Sequence, residues 1–268
     1  MNKDLNYLNI NRESWNRRTP LHIASDFYGV DEFVKGKSSL KQIELDLLGD
    51  VKGKSILHLQ CHFGQDSLSL ARMGARVTGV DLSDKAIEEA NALANKINVS
   101  ARFVCCDVYS LPEHLNEEFD IVFTSYGTIG WLPDLDKWAQ VIHRFLKPGG
   151  KFVFVEFHPV VWMFDDDFKE VKYNYFNTGP IQETESGTYA QQDADIKSEY
   201  IGWNHATGEV LCSLLNNGIH LLSFQEYNYS PYACFKNTVK IEEDKFRIPH
   251  LGDKIPMVFS LTGIKNLV

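Results

Sequence analysis

The sequence predicts an α/β protein with a doubly wound sheet of mainly parallel strands and helices on both faces. Two observations predict it. Apolar, strand-like runs alternate with helix-like segments between residues 55 and 157. Two more strand-like runs, near 219–229 and 257–265, come after that repeat and are joined by a long connection. They predict a terminal antiparallel hairpin, and so a mixed sheet of seven strands.

Caps, glycine stops and apolar spacing locate each element. Ser39 is expected to cap a first helix, over 40–48, and Gly49 to end it. Ser83 is expected to cap a later helix in the same way. The remaining predicted elements are, in order, strand 55–60, helix 65–73, strand 76–80, helix 84–97, strands 101–105 and 119–124, helix 135–146, strand 151–157 and helix 206–217.

The texture of the chain predicts one domain with two additions. Residues 1–38 mix aromatic and charged side chains without a clear period, which favours an arm or lid over a core element. Residues 39–158 carry the alternating strands and helices and form the expected cofactor-binding core. Residues 159–203, rich in tyrosine and glycine, predict a strand-rich flap, and 204–268 predict the closing helix and hairpin.

Composition narrows the class of partner. The formal charge is −9 and the basic residues are scattered, so no nucleic-acid partner is expected. No apolar run approaches ~18 residues and no signal core opens the chain, which predicts no membrane partner and a cytoplasmic location. Five cysteines and nine histidines show no metal-ligand spacing, so no metal is expected. A small-molecule partner remains, and homodimer formation is left open.

One βαβ unit carries most of the functional information. An apolar strand runs into the loop 58–64, and the following helix leads to a second strand that ends at Asp81. A carboxylate at that position can hold two ribose hydroxyls, as it does in nucleoside-binding units. The unit alone leaves both nicotinamide cofactors and S-adenosylmethionine open, and an ordinary strand-to-helix turn is the alternative for the loop.

Three further segments complete the pattern. Asp107 ends the third strand, the run Glu118–Tyr126 is a charged turn that enters a buried strand, and Arg144–Lys151 includes Lys-Pro-Gly-Gly before the fifth strand. With these motifs the chain, from about residue 40 onward, resembles the class I S-adenosylmethionine-dependent methyltransferases. The resemblance implies a Rossmann-like seven-stranded fold, S-adenosyl-L-methionine as methyl donor, and a small-molecule acceptor.

The resemblance also implies a set of cofactor-binding residues, although the glycine loop departs from the family pattern. His58 replaces the family's acidic residue, Gln60 and His62 replace its first two glycines, and only Gly64 remains. The expected cofactor-binding residues are Gln60, Cys61, His62, Gly64, Asp81, Leu82, Asp107, Val108, Ser125, Tyr126 and Trp15.

Catalysis of methyl transfer can rest largely on alignment, because the sulfonium leaving group is already activated. Where a base is used, histidine is the usual choice. His158, after the fifth strand, is the first candidate, His205 the second and His62 the third, while Tyr126 is expected beside the reacting groups. A structural, hydrogen-bonded role is the alternative for each histidine.

Aromatic residues of the arm and flap offer a second hypothesis. Trp15, Tyr28, Tyr175 and Trp203 are candidates for a cage that attracts the sulfonium through cation–π contact. Packing of the arm and flap onto the domain is the alternative.

Two other functions remain open at this point. A nicotinamide-dependent oxidoreductase shares the βαβ unit, but the missing Gly-x-Gly-x-x-Gly and the Lys-Pro-Gly-Gly run argue against it. A noncatalytic protein that binds the cofactor as a sensor or interaction subunit is the other alternative, since the altered loop and the fold do not prove activity. Methylation of nucleic-acid bases is disfavoured because neither an Asn/Asp-Pro-Pro-Tyr/Phe motif nor a Pro-Cys nucleophile is present.

Overall fold

The computed structural model describes residues 6–266. The helices are α1 Tyr7–Ala24, α2 Val30–Val34, α3 Gln42–Leu48, α4 Gln65–Arg72, α5 Asp84–Ile97, α6 Leu111–His114, α7 Leu135–Phe145 and α8 Thr207–Asn216. The strands are β1 Ser55–Leu59, β2 Arg76–Asp81, β3 Arg102–Cys105, β4 Phe119–Ser125, β5 Leu146–Phe157, β6 Ile181–Ser186, β7 Lys197–Gly202, β8 Ile219–Tyr227, β9 Val239–Glu242, β10 Lys245–Arg247 and β11 Val258–Lys265.

Seven strands form one mixed sheet in the order β3-β2-β1-β4-β5-β11-β8. Strand β2 pairs in parallel with both β1 and β3, whereas β11 lies antiparallel to both β5 and β8. The predicted fold class, a mixed seven-stranded α/β sheet closed by an antiparallel hairpin, is therefore confirmed. Two small antiparallel sheets, β6 with β7 and β9 with β10, lie outside it.

Local signals located most element ends. Helix α5 spans the predicted residues 84–97, and the Ser83 hydroxyl caps it by accepting a 3.0 Å hydrogen bond from the Ala86 N–H. Gly49 ends α3 with φ of 65°. The predicted cap at Ser39 is wrong, because α3 begins at Gln42 and the Ser39 hydroxyl instead donates a 2.6 Å hydrogen bond to Asp66.

The chain forms two compact units. The first comprises the residues up to Leu40 together with Asp50–Ile121 and Pro180–Gly202. It contains β1, β2 and β3, the helices α4 and α5, and the β6–β7 pair. Its core includes the buried side chains of β1 and an apolar cluster formed by Phe33, Phe63, Leu68, Leu93 and Ala94.

Helix α1 belongs to this first unit and explains why residues 1–38 showed no apolar period. Its buried side chains are polar: Asn11, Ser14, Arg18, Thr19 and His22. They recur at helical spacing, and two of them, Asn11 and Arg18, bond to the flap strands. The Asn11 amide exchanges two hydrogen bonds, of 2.8 and 2.9 Å, with the Ile201 backbone, and Arg18 donates to Glu185 at 2.9 Å. The segment expected as an irregular arm is thus a helix, and the first five residues of the predicted arm lie outside the described residues.

The second unit comprises Lys41–Gly49, Val122–Gly179 and the chain from Trp203 onward. Strands β5, β11 and β8 supply its sheet, and helix α7 packs on it through the fully buried Trp138, whose ring lies 5.6 Å from Phe152 and 5.3 Å from Phe154. The predicted boundaries of arm, core, flap and closing segment stay predictions. No helix within residues 6–266 combines the length and the apolar character needed to cross a membrane.

Candidate active site

The loop between β1 and α4 keeps a glycine-like backbone with only one glycine. Gln60, His62 and Gly64 have φ values of 55°, 51° and 80°, all in the left-handed region. For residues that carry a Cβ, this conformation costs roughly 1–2 kcal/mol each. The loop therefore retains the path that the family builds with glycines, and the strain of Gln60 and His62 is concentrated at the predicted cofactor site.

Gly64 differs from Gln60 and His62 because its surroundings leave no room for a side chain. A Cβ at Gly64 would lie 2.7 Å from the Phe103 ring and 3.0 Å from Ala90. Gly79, on β2, meets a similar limit, with the Cys61 sulfur and the Phe103 ring both at 2.8 Å. Close packing of the loop against β2, β3 and α5 thus requires glycine at position 64.

Asp81, at the end of β2, presents its carboxylate to this loop. One oxygen accepts a 2.8 Å hydrogen bond from the His62 N–H, and the other accepts a 2.9 Å bond from the Ser83 N–H. Burial raises the pKa of Asp81 to about 6, against the lowering effect of these backbone bonds. Because each carboxylate oxygen can accept a second hydrogen bond, the group fits the two hydroxyls of a ribose.

The parallel pairing of β2 and β3 brings Asp107 to the same edge. Asp81 is in register with Cys105, and the Cys106 N–H donates to the Asp81 carbonyl at 3.0 Å. Asp107 follows directly and accepts hydrogen bonds from the N–H groups of Tyr109 and Ser110, at 2.9 and 3.2 Å. Two carboxylates therefore follow neighbouring strand ends, as the adenine and ribose of one nucleoside require.

The other predicted cofactor residues of this unit line the same edge. Cys61 and Val108 are buried, and Leu82 directly follows Asp81. His58, at the position of the family's acidic residue, is buried and bonds to the Ser67 hydroxyl at 2.8 Å. Burial lowers the pKa of His58 to about 3, so a neutral imidazole replaces a carboxylate at that position.

The α1 helix and the flap add rings that sequence reasoning only partly foresaw. The Trp15 ring centroid lies 5.1 Å from that of His62, and the Tyr28 centroid lies 5.6 Å from it. The sequence analysis had not selected His22 and Tyr189, yet both join this cluster. The polar periodicity of α1, with His22 at its end, was the signal that could have revealed the first of them.

In the second unit, β4 ends at Ser125, and Tyr126 is the first residue after it. Tyr126 adopts the left-handed region with φ of 44°, its hydroxyl donates a 2.9 Å hydrogen bond to Glu44, and its ring lies 5.1 Å from that of Tyr232. A non-glycine residue held at positive φ marks a strained position, as is common at functional sites. The expectation that Tyr126 adjoins the reacting groups stays a prediction.

Glu156 holds the turn that follows Tyr126, and sequence reasoning had assigned it no role. Its buried carboxylate accepts hydrogen bonds from the backbone N–H groups of Gly127, Thr128, Ile129 and Phe157, and from the Thr128 hydroxyl. Burial raises the pKa of Glu156, and the hydrogen bonds from the N–H groups of Gly127, Thr128 and Phe157 and from the Thr128 hydroxyl oppose that rise. One carboxylate thereby fixes the backbone next to Tyr126.

His158, the first candidate base, is buried and has partners on both ring nitrogens. Nδ1 accepts a 3.2 Å hydrogen bond from the Val160 N–H, so the proton of the neutral ring is on Nε2, which donates to Glu226 at 2.8 Å. Burial lowers the pKa of His158, and the Glu226 carboxylate opposes this effect. The lone pair on Nδ1 is suited to a base once it exchanges Val160 for a substrate proton.

His205, the second candidate, has a different environment. Its Nε2 lies 2.8 Å from the Leu132 carbonyl and its Nδ1 lies 3.0 Å from the Glu209 carboxylate. An acceptor group therefore faces each of the two ring nitrogens. Its catalytic role stays a prediction, as does the cage role of Tyr175, whose hydroxyl donates to Thr207, and of Trp203, whose backbone N–H donates to Gly130.

Comparisons with known proteins decide between the cofactor classes. Residues 56–150 match a family model described as a methyltransferase domain. The part of the chain that holds the candidate cofactor site is therefore similar to methyltransferase domains. The matched segment runs from β1 into β5 and contains the loop 58–64, Asp81 and Asp107.

Curated relatives match over less than half of this chain. An uncharacterized methyltransferase of Synechocystis is 38% identical over 134 residues, which are 49% of this chain and 60% of the relative. A ubiquinone biosynthesis O-methyltransferase of Coxiella burnetii is 34% identical over 115 residues, which are 43% of this chain and 47% of the relative. The matches thus span about half the length of these relatives.

Solved structures share the methyltransferase fold over nearly the whole chain. An S-adenosylmethionine-dependent methyltransferase from Clostridium acetobutylicum has a TM-score of 0.58 at 15% identity and covers 96% of this chain and 98% of its own. The [4+2]-cyclase SpnF has a TM-score of 0.60 at 17% identity, with 96% of both chains covered. At these identities the likeness concerns the fold.

Proposed function

We propose that this protein transfers a methyl group from S-adenosylmethionine to a small-molecule acceptor and releases S-adenosylhomocysteine. The observation that carries the proposal is the Asp81 carboxylate, fixed by the N–H groups of His62 and Ser83 beside a loop in the family's glycine-type conformation. The similarity of residues 56–150 to methyltransferase domains favours S-adenosylmethionine over a nicotinamide as the cofactor. When bound, the cofactor supplies a methyl group activated by its sulfonium.

Each candidate residue at the carboxyl ends of β1, β2 and β3, here called the cofactor edge, has a proposed role. Asp81 accepts hydrogen bonds from the ribose hydroxyls, and Asp107 accepts from the adenine amino group. Gly64 lets the helix α4 approach closely, while Gln60 and His62 hold the loop path. None of these residues needs to change protonation state during methyl transfer, so their contribution is binding and alignment.

His158 is the proposed base for an acceptor that must lose a proton. Glu226 fixes the tautomer in which Nδ1 carries the lone pair, in the way that a carboxylate orients a catalytic histidine. Tyr126 and Ser125 are proposed to contact the reacting groups, with Glu156 positioning the Tyr126 backbone. His205 is the alternative base.

The acceptor is proposed only as a class. One relative is named as an O-methyltransferase of ubiquinone biosynthesis and another, from Caenorhabditis elegans, as a sterol 4-C-methyltransferase. These names differ in the atom that is methylated, and the matches cover less than half of this chain. They support an organic small molecule, in keeping with the acidic net charge of −9.

Parallel calorimetric titrations with S-adenosylmethionine, S-adenosylhomocysteine, NAD and NADP test the cofactor. Saturable binding of the two sulfur compounds alone supports the proposal, and binding of a nicotinamide would favour the oxidoreductase alternative. Turnover is tested by measuring S-adenosylhomocysteine formation across a panel of phenols, amines and thiols. Binding without turnover on any acceptor class would favour a noncatalytic cofactor-binding protein.

A further inference from the structure

A buried pair of histidines connects helix α1 to the cofactor loop. The Nδ1 of His22 lies 3.0 Å from the Nε2 of His62, with the two rings nearly perpendicular at 86°. His22 is fully buried. Since the rings share one hydrogen bond, one of them donates an N–H and the other accepts it, and each ring retains its second nitrogen for another partner.

The second ring nitrogen of each histidine is unusual because it is buried without a hydrogen-bonding partner among the described residues. His22 Nε2 and His62 Nδ1 are both buried, and no group within residues 6–266 lies at hydrogen-bonding distance from either. In any neutral tautomer of the pair, one of these two atoms carries a proton and the other carries a lone pair. A buried polar atom without a partner costs roughly 1–3 kcal/mol, so this pair is suited to a ligand with both a donor and an acceptor.

Aromatic rings from two segments surround the pair. Tyr28 stacks on His22 at 5.2 Å between ring centroids, Tyr189 of the flap lies 4.8 Å from it, and Trp15 lies 5.1 Å from His62. The hydroxyls of Tyr28 and Tyr189 also bond to each other. These rings supply flat apolar surface of the kind on which a planar ligand stacks.

The two imidazole rings offer no negative charge to a cation, and the nearby Arg18 guanidinium is itself paired with Glu185 at 2.9 Å. The Arg18 guanidinium is buried and lies over the Trp15 ring, 5.4 Å from its centroid. Burial, with the Arg18 charge, lowers the pKa of His22 to about 3 and lowers the pKa of His62 well below its usual value. Both rings are therefore neutral near pH 7, and they offer hydrogen bonds without an ionic partner for an ammonium group.

We propose that the His22–His62 pair binds the methyl acceptor and that the acceptor is an uncharged planar molecule bearing a hydroxyl. The surrounding rings of Trp15, Tyr28 and Tyr189 lie outside the segment 56–150 that matches the methyltransferase domain. His62 lies inside that segment, next to Asp81. The pair thus connects helix α1 and the flap with the cofactor loop, and this inference rests on the proposed function.

The test uses phenol and toluene, which have the same shape but differ in the hydroxyl. Full-length protein with ¹⁵N-labelled histidine is first saturated with S-adenosylhomocysteine and then titrated with each probe, and the imidazole nitrogen resonances are followed. The expected result is that phenol shifts the free nitrogens of His22 and His62, that toluene does not, and that phenol binds roughly tenfold more tightly. Equal affinities, or a phenol titration of the S-adenosylhomocysteine complex that shifts neither His22 nor His62, would overturn the inference.

A matched pair of variants separates binding from folding. His22→Phe keeps a ring against Tyr28 and removes the nitrogens, so the preference for phenol over toluene should fall to near onefold while S-adenosylhomocysteine affinity stays within about twofold. His220→Phe, at an exposed position on β8, should leave the preference unchanged. Failure of S-adenosylhomocysteine to bind the wild type would refute the proposed function, whereas retained cofactor binding with no phenol preference would refute this inference alone.

Discussion

Replacing Asp81 by asparagine should weaken cofactor binding sharply while changing the fold little. Both carboxylate oxygens already accept a backbone N–H, from His62 at 2.8 Å and from Ser83 at 2.9 Å. An asparagine must turn its NH₂ toward one of these donors. That side of the group then accepts neither the backbone N–H nor a ribose hydroxyl.

The expected size of the effect follows from that arrangement. One charge-assisted hydrogen bond to ribose is lost and the other becomes neutral, which together costs about 2–3 kcal/mol of binding free energy. The dissociation constant for S-adenosylhomocysteine should therefore rise roughly 30- to 150-fold. The free energy of unfolding should change by only about 1 kcal/mol, because removal of a partly buried charge offsets the lost backbone bond.

Calorimetric titration with S-adenosylhomocysteine at pH 8, where Asp81 is ionised, measures the first quantity, and chemical denaturation measures the second. Asp120→Asn is the matched control, because that carboxylate accepts a 2.7 Å hydrogen bond from the Ser55 N–H at the opposite end of the parallel strands. Its dissociation constant should stay within about twofold of the wild type. An Asp81→Asn protein that binds the cofactor within threefold of the wild type would refute the ribose assignment.

Four further outcomes are expected. Since the pKa of Asp81 is raised to about 6, S-adenosylhomocysteine affinity should be constant above that pH and fall by up to tenfold per pH unit below it. The unliganded protein should gain stability from protonation of this group as the pH falls. An affinity that does not change from pH 5 to 8 would contradict this prediction. Gly64→Ala should lower the free energy of unfolding by at least about 2 kcal/mol more than Gly53→Ala, because both residues have positive φ but only a Cβ at position 64 would collide with another side chain. Equal losses of unfolding free energy in chemical denaturation would count against that collision. Glu156→Gln should cost about 2–4 kcal/mol in the same measurement, because its NH₂ faces backbone donors, and an unchanged midpoint would argue against that role. His158→Ala should reduce turnover at least ~10²-fold with unchanged cofactor affinity, and undiminished turnover would remove it as a base.

The cofactor half of the protein was readable from local signals. Three features depend only on residues close together in sequence: the alternation of strands and helices, the Ser83 cap and the carboxylate of Asp81. Their positions can therefore be predicted from the sequence. The parallel order of β1, β2 and β3 then brings Asp81 and Asp107 to one edge. In the altered glycine loop, Gln60 and His62 both adopt positive φ without being glycines.

The α1 helix was missed for a physical reason. Prediction from apolar period assumes that a helix buries apolar side chains, and α1 instead buries Asn11, Arg18 and His22. Those side chains find hydrogen-bonding partners 160 to 190 residues away or in the cofactor loop, such as the Ile201 backbone. Polar burial is stable only when partners are present, and partners so distant in sequence leave no local trace.

The sequence by itself determined the alternation of strands and helices in the cofactor-binding half and the carboxylates that follow its strands. Only the tertiary structure decided which side chains distant in sequence meet: the pairing of His22 with His62, the aromatic ring of Tyr189 beside them and, in the second unit, the N–H donors that converge on Glu156. The reason is that local patterns record backbone conformation and burial, whereas a hydrogen bond across the fold depends on geometry that exists only after the chain has packed.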